Sequence, residues 1–266
     1  MKPAPLHYKA ARSVPGALAL LADEDAKALA GGQSLVPLLN FRLARPALLV
    51  DLNPIAELAY LRRGGGVLRI GALTRQATLE RSALVRRGWP LLTQAVRMVG
   101  HPAIRSRGTI GGSVAHADPN AELPVALAAL DATFHLRSAA GTRAVGASEL
   151  FRGPMTTAIA GDELLTEIEV PPAPEGARMA FVEHARTHGD FAVAGAAVVL
   201  AQGEHAAIAL LGAGPMPVRA AAAERALMAG ASDAEAGELA GAEVRDEYRA
   251  ALVTALVTRA LDQARR

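Results

Sequence analysis

Two short segments carry the residue types that could grip an anion: Ala30-Gly31-Gly32-Gln33-Ser34 and Thr109-Ile110-Gly111-Gly112-Ser113. In each, a glycine pair is followed by small hydroxyl or amide residues. Paired glycines have no Cβ to hold a ligand off the backbone, and successive N–H groups can form an anion-binding nest. The apolar run behind the first pair suits a helix, whose N-terminal end adds positive potential. Two such loops could clasp a diphosphate from both sides, with the hydroxyls of Ser34, Thr109 and Ser113 as further donors. Taken singly, each pair reads more readily as a tight turn. There is no G-x-G-x-x-G after a strand and no G-x-x-x-x-G-K-[ST], so neither a Rossmann dinucleotide site nor a P-loop is supported.

Other constellations carry less. His184 and His188 lie four apart, but their segment reads as strand and turn and lacks a third metal ligand. His116 and Asp118 share the stretch around the second glycine pair, where loop hydrogen bonding explains them better than acid–base chemistry. Arg105 and Arg107 flank that pair and could reach a phosphate, solvent or a partner equally well. No Ser/His/Asp set has supporting context. The chain has no cysteine, which excludes a disulfide, a thiolate zinc site and any iron–sulfur cluster held by this chain.

The elements that must position these loops can be read from pattern. Lys27–Ala30 is a short apolar stretch leading into the first loop. Ser34 then suits an N-cap for a helix over Leu35–Leu43, with Pro37 in its first turn and Pro46 as its stop. Ala47–Leu52 reads as a buried strand, and Leu58–Leu61 with Val67–Leu73 as a hairpin about Gly64-Gly65-Gly66. Thr74 suits the cap of a following helix, and Trp89–Val99 supplies another. Gly100–Asn120, rich in Gly, Pro and His, reads as a long functional loop. A helix over Leu123–Leu130 and strands near Ala132–Arg137 and Leu164–Val170 follow. Pro171-Pro172-Ala173-Pro174 marks a boundary, predicting domains over 1–172 and 175–266. Beyond it Ala180–Ala185, Phe191–Ala201 and Ala206–Leu211 have strand character, and Pro217 opens a helical tail. Strands and helices without regular βαβ alternation predict an α+β fold in both parts.

At 266 residues the chain can bury a sizeable core. Its formal charge is only +2, its arginines are scattered, and aromatics are too few for a stacking platform, so nucleic-acid binding is not expected. No apolar run approaches the roughly 18 residues of a membrane span. A cytoplasmic setting is the expectation, with attachment at the inner membrane face arising only through a complex.

Both glycine motifs in order, the second continuing as Ala117-Asp118-Pro119-Asn120-Ala121-Glu122-Leu123-Pro124, resemble the FAD-binding medium subunit of molybdenum hydroxylases, the aerobic carbon monoxide dehydrogenase and xanthine dehydrogenase group. Gly153-Pro154-Met155-Thr156-Thr157, Glu163-Leu164-Leu165, Gly189-Asp190-Phe191-Ala192, Gly214-Pro215-Met216-Pro217-Val218-Arg219 and Tyr248-Arg249-Ala250-Ala251-Leu252 extend the likeness over essentially the whole chain. The resemblance implies a two-part FAD-binding domain of vanillyl-alcohol-oxidase type followed by a smaller C-terminal α+β domain. It implies noncovalent FAD, with its diphosphate at residues 30–34 and 109–113. Glu122 would lie near the ribose, Leu165 beside the flavin and adenine region, and Phe191 over the isoalloxazine ring, while Gly100 begins the stretch entering the second motif. It also implies partners: a large subunit with a molybdopterin cofactor, a small subunit with [2Fe–2S] clusters, and an external electron acceptor. One departure stands out. Some relatives place a lysine near the flavin N1/O2 edge in the segment matching Phe181–Ala185, where this chain has Glu183 and His184. Two alternatives stay open: a free-standing FAD-dependent oxidase or reductase, and a non-redox nucleotide-binding protein.

Overall fold

Strand β1 (His7–Ala10), helix α1 (Val14–Leu21), strand β2 (Ala26–Leu29), helix α2 (Leu35–Asn40) and strand β3 (Leu48–Asp51) open the computed structural model, which describes residues 2–201 and 203–266. The strands form a parallel sheet in the order β1-β3-β2. So βαβ alternation exists locally, although the fold as a whole is α+β. The Ser13 hydroxyl starts α1 by accepting the Gly16 N–H, and Val14, Ala17, Leu18 and Leu21 pack on Leu48 and Val50. Helix α2 stops at Asn40 instead of running to Leu43. Arg42 turns left-handed, with φ 59°, and the N–H groups of Leu43 and Ala44 fold back onto the Leu38 carbonyl. That residue ends the helix before Pro46 is reached.

A hairpin follows, β4 (Leu61–Gly64) and β5 (Val67–Gly71), turning at Gly65 and Gly66 with φ 60° and 83°. Helices α3 (Gln76–Arg81), α4 (Ala83–Gly88), α5 (Pro90–Met98), α6 (Pro102–Arg107), α7 (Ile110–His116) and α8 (Glu122–Ala129) come next. They lead to β6 (Thr133–Ser138), β7 (Gly141–Gly146), α9 (Ala147–Leu150), the short pair β8 (Phe151–Gly153) and β9 (Thr156–Thr157), and β10 (Leu164–Val170). The antiparallel sheet runs β4-β5-β10-β6-β7. Period-two alternation sends Leu68, Ile70, Phe134, Leu136, Ile168 and Val170 into the core. On the other face Arg69 spans Glu167 and Glu169 at 2.7 and 2.8 Å, beside His135.

Two expectations fail here. The stretch 100–120 is mostly helix, not loop, because its supposed breakers are caps. Pro102 opens α6, the Thr109 hydroxyl accepts the Gly112 N–H at the start of α7, and Ala117 closes α7 with φ 51°. Thr74 caps no helix. Its Oγ1 donates to the Tyr60 carbonyl at 2.8 Å and accepts the Tyr60 N–H at 3.1 Å, while α3 begins beyond Arg75.

The remaining elements are β11 (Arg178–His184), β12 (Ala194–Ala201), β13 (His205–Leu211), β14 (Val218–Arg219), α10 (Ala221–Met228), α11 (Asp233–Ala242) and α12 (Glu247–Arg265). The strands make an antiparallel sheet in chain order. On one face Ala180, Val182, Val198 and Leu210 meet Val253, Val257 and Leu261 of α12. On the other, Met179, Phe181, Ala197 and Val199 join the core built around α5 and α8. Strand β12 starts at Ala194 and leaves Phe191 in the preceding loop. Gly189, with φ 89°, seats that loop on residues 100–101: a Cβ there would stand 2.9 Å from His101 Nδ1. The tail is helical only from Ala221, since Val218 and Arg219 pair with β13. Between β10 and β11 the Pro171 carbonyl accepts the Trp89 indole N–H at 2.7 Å.

Candidate functional site

The first glycine loop leaves β2, crosses the sheet end and enters α2. The backbone N–H groups of Ala30, Gly31, Gly32, Gln33 and Ser34 make no hydrogen bond to any described residue. Ser34 stands at the N-cap but its side chain caps nothing. Gly32 has φ 76°, where any other L-residue is strained. Unpaired consecutive donors are rare in folded chains and are what an anion nest requires. Ala30, Gly31, Gly32 and Gln33 line a cavity of 470 Å³ with Tyr8, Val36, Asp51, Asn53 and Arg107. The Tyr8 hydroxyl lies 2.5 Å from Asp51 Oδ2. Desolvation pushes Asp51 up, but the bonds from Tyr8 and Asn53 outweigh it and hold the carboxyl below its ordinary range. Asn53 Nδ2 donates to the Ala30 carbonyl at 2.8 Å, and its Oδ1 accepts from Arg75 at 2.6 Å. Asn53 therefore ties the loop to the segment after β5.

The second glycine motif is built otherwise. The Ile110 N–H goes to the Thr74 carbonyl at 3.1 Å, Gly111 to Ala72 at 2.9 Å, Gly112 to Thr109 Oγ1 at 3.0 Å and Ser113 to the Thr109 carbonyl at 3.1 Å. These four donors already have partners, and in this motif only the Thr109 N–H has none among the described residues. Gly111 is glycine for packing, since a Cβ would stand 2.6 Å from the Ala72 carbonyl oxygen. Gly112 faces the first loop, its Cβ position 3.7 Å from that of Ala30. The two motifs thus adjoin, one offering free backbone donors and the other a capped helix start with the Thr109 hydroxyl. Gly100, φ 43°, borders α6 and gives its carbonyl to Arg105 at 3.3 Å. Arg105 is itself buried against Glu80 at 2.8 Å. It is therefore a framework residue, whereas Arg107 lines the cavity.

A second cavity, of 790 Å³, opens beside the loop carrying Phe191, with Asn120, His184, Arg186, Tyr248 and Arg249 around it. Phe191 and Tyr248 show 71% and 62% of their surface, a large apolar exposure in a chain with few aromatics. Glu122, two residues after Asn120, and Glu183, just before His184, do not line this cavity themselves. Burial pushes Glu122 up to about 8, its own amide only partly offsetting, and the charges of Glu183 and Asp118 add to the push. Burial alone raises Glu183 to about 7. Leu165 lies in the core on β10, beside a bulge that turns Leu164 toward the N-terminal core. Asp118 accepts the Asn120 N–H at 2.9 Å, a local turn bond.

A family model described as the FAD binding domain in molybdopterin dehydrogenase matches residues 4–173. The chain belongs to that family. It is 43% identical to the 6-hydroxypseudooxynicotine dehydrogenase complex subunit alpha of Paenarthrobacter nicotinovorans, across 99% of this chain and 96% of its relative. It is 36% identical to the carbon monoxide dehydrogenase medium chain of Hydrogenophaga pseudoflava, across 99% and 98%. The solved carbon monoxide dehydrogenase of that organism superposes with a TM-score of 0.94 at 38% identity, covering 99% of this chain and 98% of the other. Quinoline 2-oxidoreductase from Pseudomonas putida 86 gives 0.93 at 35%, covering 99% and 98%. This FAD-binding chain is accordingly a medium subunit of the molybdenum hydroxylase group, an oxidoreductase component. No helix among the described residues is long and apolar enough to cross a membrane.

The residues of this FAD-binding chain fit an anionic dinucleotide: an unpaired donor row, a backbone without Cβ at Gly31 and Gly32, and the Arg107 cation beside them. Sequence reasoning had not found Tyr8, Asp51, Asn53 and Arg75 around the first cavity, nor the site of Tyr248 beside Phe191. Asn53-Pro54 had signalled only a strand end, and a single tyrosine near the N-terminus carries no motif.

Proposed function

We propose that this chain binds one FAD noncovalently, accepts electrons from [2Fe–2S] clusters of a partner small subunit and passes them to an external acceptor, while a molybdenum-containing large subunit oxidises the substrate. The observation carrying this reading is the row of unpaired N–H groups from Ala30 to Ser34 in a chain of this family. FAD, when bound, supplies the two-electron chemistry; the protein supplies binding, orientation and tuning. Residues 30–34 hold the diphosphate by their backbone, with Thr109 and Ser113 adding hydroxyl donors and Arg107 a cation. Ile110, Gly111 and Gly112 support this by bringing the α7 start against the first loop, and Gly100 fixes the turn before α6. Glu122 takes the ribose side, Leu165 backs the site from the core, and Phe191 covers the flavin ring.

The division at 172–175 belongs to the same reading, supported by a family match that ends at 173 and a separate sheet beginning at Arg178. A cytoplasmic complex is the setting that fits. The similar proteins are named for 6-hydroxypseudooxynicotine, carbon monoxide and quinoline, and in this reading the large subunit, which meets the substrate, sets the complex's specificity. Purification from the native host with its partners, then acid precipitation, tests the reading: all flavin should leave with the supernatant. A chain that holds no FAD after reconstitution and in complex with its partners would refute it.

A further inference from the structure

Consecutive carbonyls along the first glycine loop are all bonded from outside its row of donors. The Leu29 carbonyl accepts the Leu52 N–H at 2.9 Å, and the Ala30 carbonyl accepts Asn53 Nδ2 at 2.8 Å. The Gly31 carbonyl accepts Gln33 Nε2 at 3.1 Å, and the Gly32 carbonyl accepts the Val36 N–H at 3.0 Å. In a trans peptide the carbonyl and the N–H that follows it point opposite ways. Each bond therefore turns the next N–H, on Ala30, Gly31, Gly32 and Gln33 in turn, away from the carbonyl's partner. Those residues line the 470 Å³ cavity.

Of these partners only Asn53 is a side chain distant in sequence, 23 residues beyond Ala30. Its amide is fully spent. Nδ2 donates to the Ala30 carbonyl and, at 2.5 Å, to Asp51 Oδ1, while Oδ1 accepts Arg75 Nη2 at 2.6 Å. Turned end for end, the amide would set its oxygen against a carboxylate and a carbonyl, and its NH2 against a guanidinium. One orientation is thereby fixed. Arg75 also donates through Nη1 to the Arg107 carbonyl, the atom that a Cβ on Gly31 would overlap. The peptide joining Ala30 to Gly31 is thus held by Asn53 at its carbonyl and by Arg107 at its glycine end, with Arg75 linking the two.

We propose that Asn53 is a positioning residue of the cofactor site: by holding the Ala30 carbonyl, in an orientation locked by Arg75, it aims the Gly31 N–H at the FAD diphosphate. This rests on the FAD-binding reading above, which gives the loop's backbone to the diphosphate without saying what orients it. Without the Asn53 amide, the Ala30–Gly31 peptide can turn over, because glycine accepts the backbone angles that result. A carbonyl oxygen then faces the phosphates where a donor stood. Asn53 acts through Gly31, so its effect follows the diphosphate and spares the flavin ring.

The test is titration calorimetry of the flavin-free full chain with FAD and with ADP, for wild type, Asn53→Ala and Asn53→Asp, plus the flavin absorbance spectrum at saturating FAD. ADP carries the diphosphate without the flavin. Asn53→Ala should weaken FAD and ADP alike by about tenfold, the loss of one hydrogen bond to a charged group. Asn53→Asp keeps the shape but puts an acceptor in place of the donor, and should weaken both ligands further. In each variant the spectrum of bound FAD should match wild type. Wild-type affinity in Asn53→Ala overturns the inference even where Asn53→Asp binds poorly, since the added charge then explains that loss. A loss for FAD without one for ADP, or a changed spectrum, also overturns it, because the damage then reaches beyond the diphosphate. Should one variant fail to fold, the other decides by the same comparison of ligands. A wild-type chain that binds neither FAD nor ADP overturns both this role and the FAD-binding reading.

Discussion

Gly31 lies against the end of α6 so closely that a Cβ on it would overlap the Arg107 carbonyl oxygen and stand 2.9 Å from Gly108 Cα. This contact presses the first glycine loop, with its unpaired donors, onto the segment that starts the second. Gly31→Ala should push the two apart, since neither side is a flexible side chain that can yield. A backbone overlap of this kind costs about 1–3 kcal/mol, so FAD affinity should fall roughly tenfold or more. Isothermal titration with FAD reads it, and unchanged affinity would remove the contact from the site.

Gly32 acts through conformation. At φ 76° a valine is strained, and its side chain would meet Val36 and Leu29. Gly32→Val should abolish FAD retention while lowering the flavin-free chain's stability by only about 1–2 kcal/mol, the cost of a left-handed β-branched residue. Retention of flavin by that variant would contradict the proposed role of the loop.

Gly111 and Gly112 separate structural from ligand effects. Gly111→Ala drives a Cβ into the Ala72 backbone and should destabilise the fold by about 1–3 kcal/mol, seen as a lower urea midpoint. Gly112→Val instead crowds Thr109 Oγ1, 2.7 Å from its Cβ position, and should loosen the α7 cap by about 1 kcal/mol. Equal stability for Gly111→Ala and wild type would contradict the packing described.

Much of this was legible beforehand. Strand β10 was readable to the residue because Leu164–Val170 is apolar at both ends and followed directly by prolines, although a bulge after Leu165 breaks its alternation, and the hairpin because consecutive glycines meet a sharp turn. What misled was capping: Pro102, Thr109 and Ala117 delimit helices that composition presents as loop. The two motifs also differ in a way their matching residue types conceal. Types and spacing match at 31–32 and 111–112, yet hydrogen bonding to Ala72 and Thr74, far along the chain, leaves the glycine donors unpaired only in the first motif. Nor does sequence spacing bring Tyr8, Asp51 and Asn53 to one cavity; the parallel pairing of β1 and β2 on β3 does.

Stability should depend on pH through the buried acids. Glu122 is held neutral up to about pH 8 in the folded chain, while the unfolded chain ionises it near 4.5. Between these values the unfolded state binds fewer protons, so stability falls as pH rises and the loss is complete above the folded value. Glu183 acts in the same direction, up to about 7. Glu122→Gln should therefore raise the flavin-free chain's melting temperature at pH 8.5, on the order of a kcal/mol or more, and change little at pH 4.5. An equal effect at both pH values would contradict burial of an acid there.

Amide hydrogen exchange, with and without FAD, tests the central assignment most directly. The amides of Ala30, Gly31, Gly32, Gln33 and Ser34 should exchange rapidly in the free chain and slow markedly once FAD is added. Those of Ile110, Gly111 and Ser113, already hydrogen-bonded, should be slow in both. Unchanged exchange at 30–34 with FAD fully bound would contradict the account.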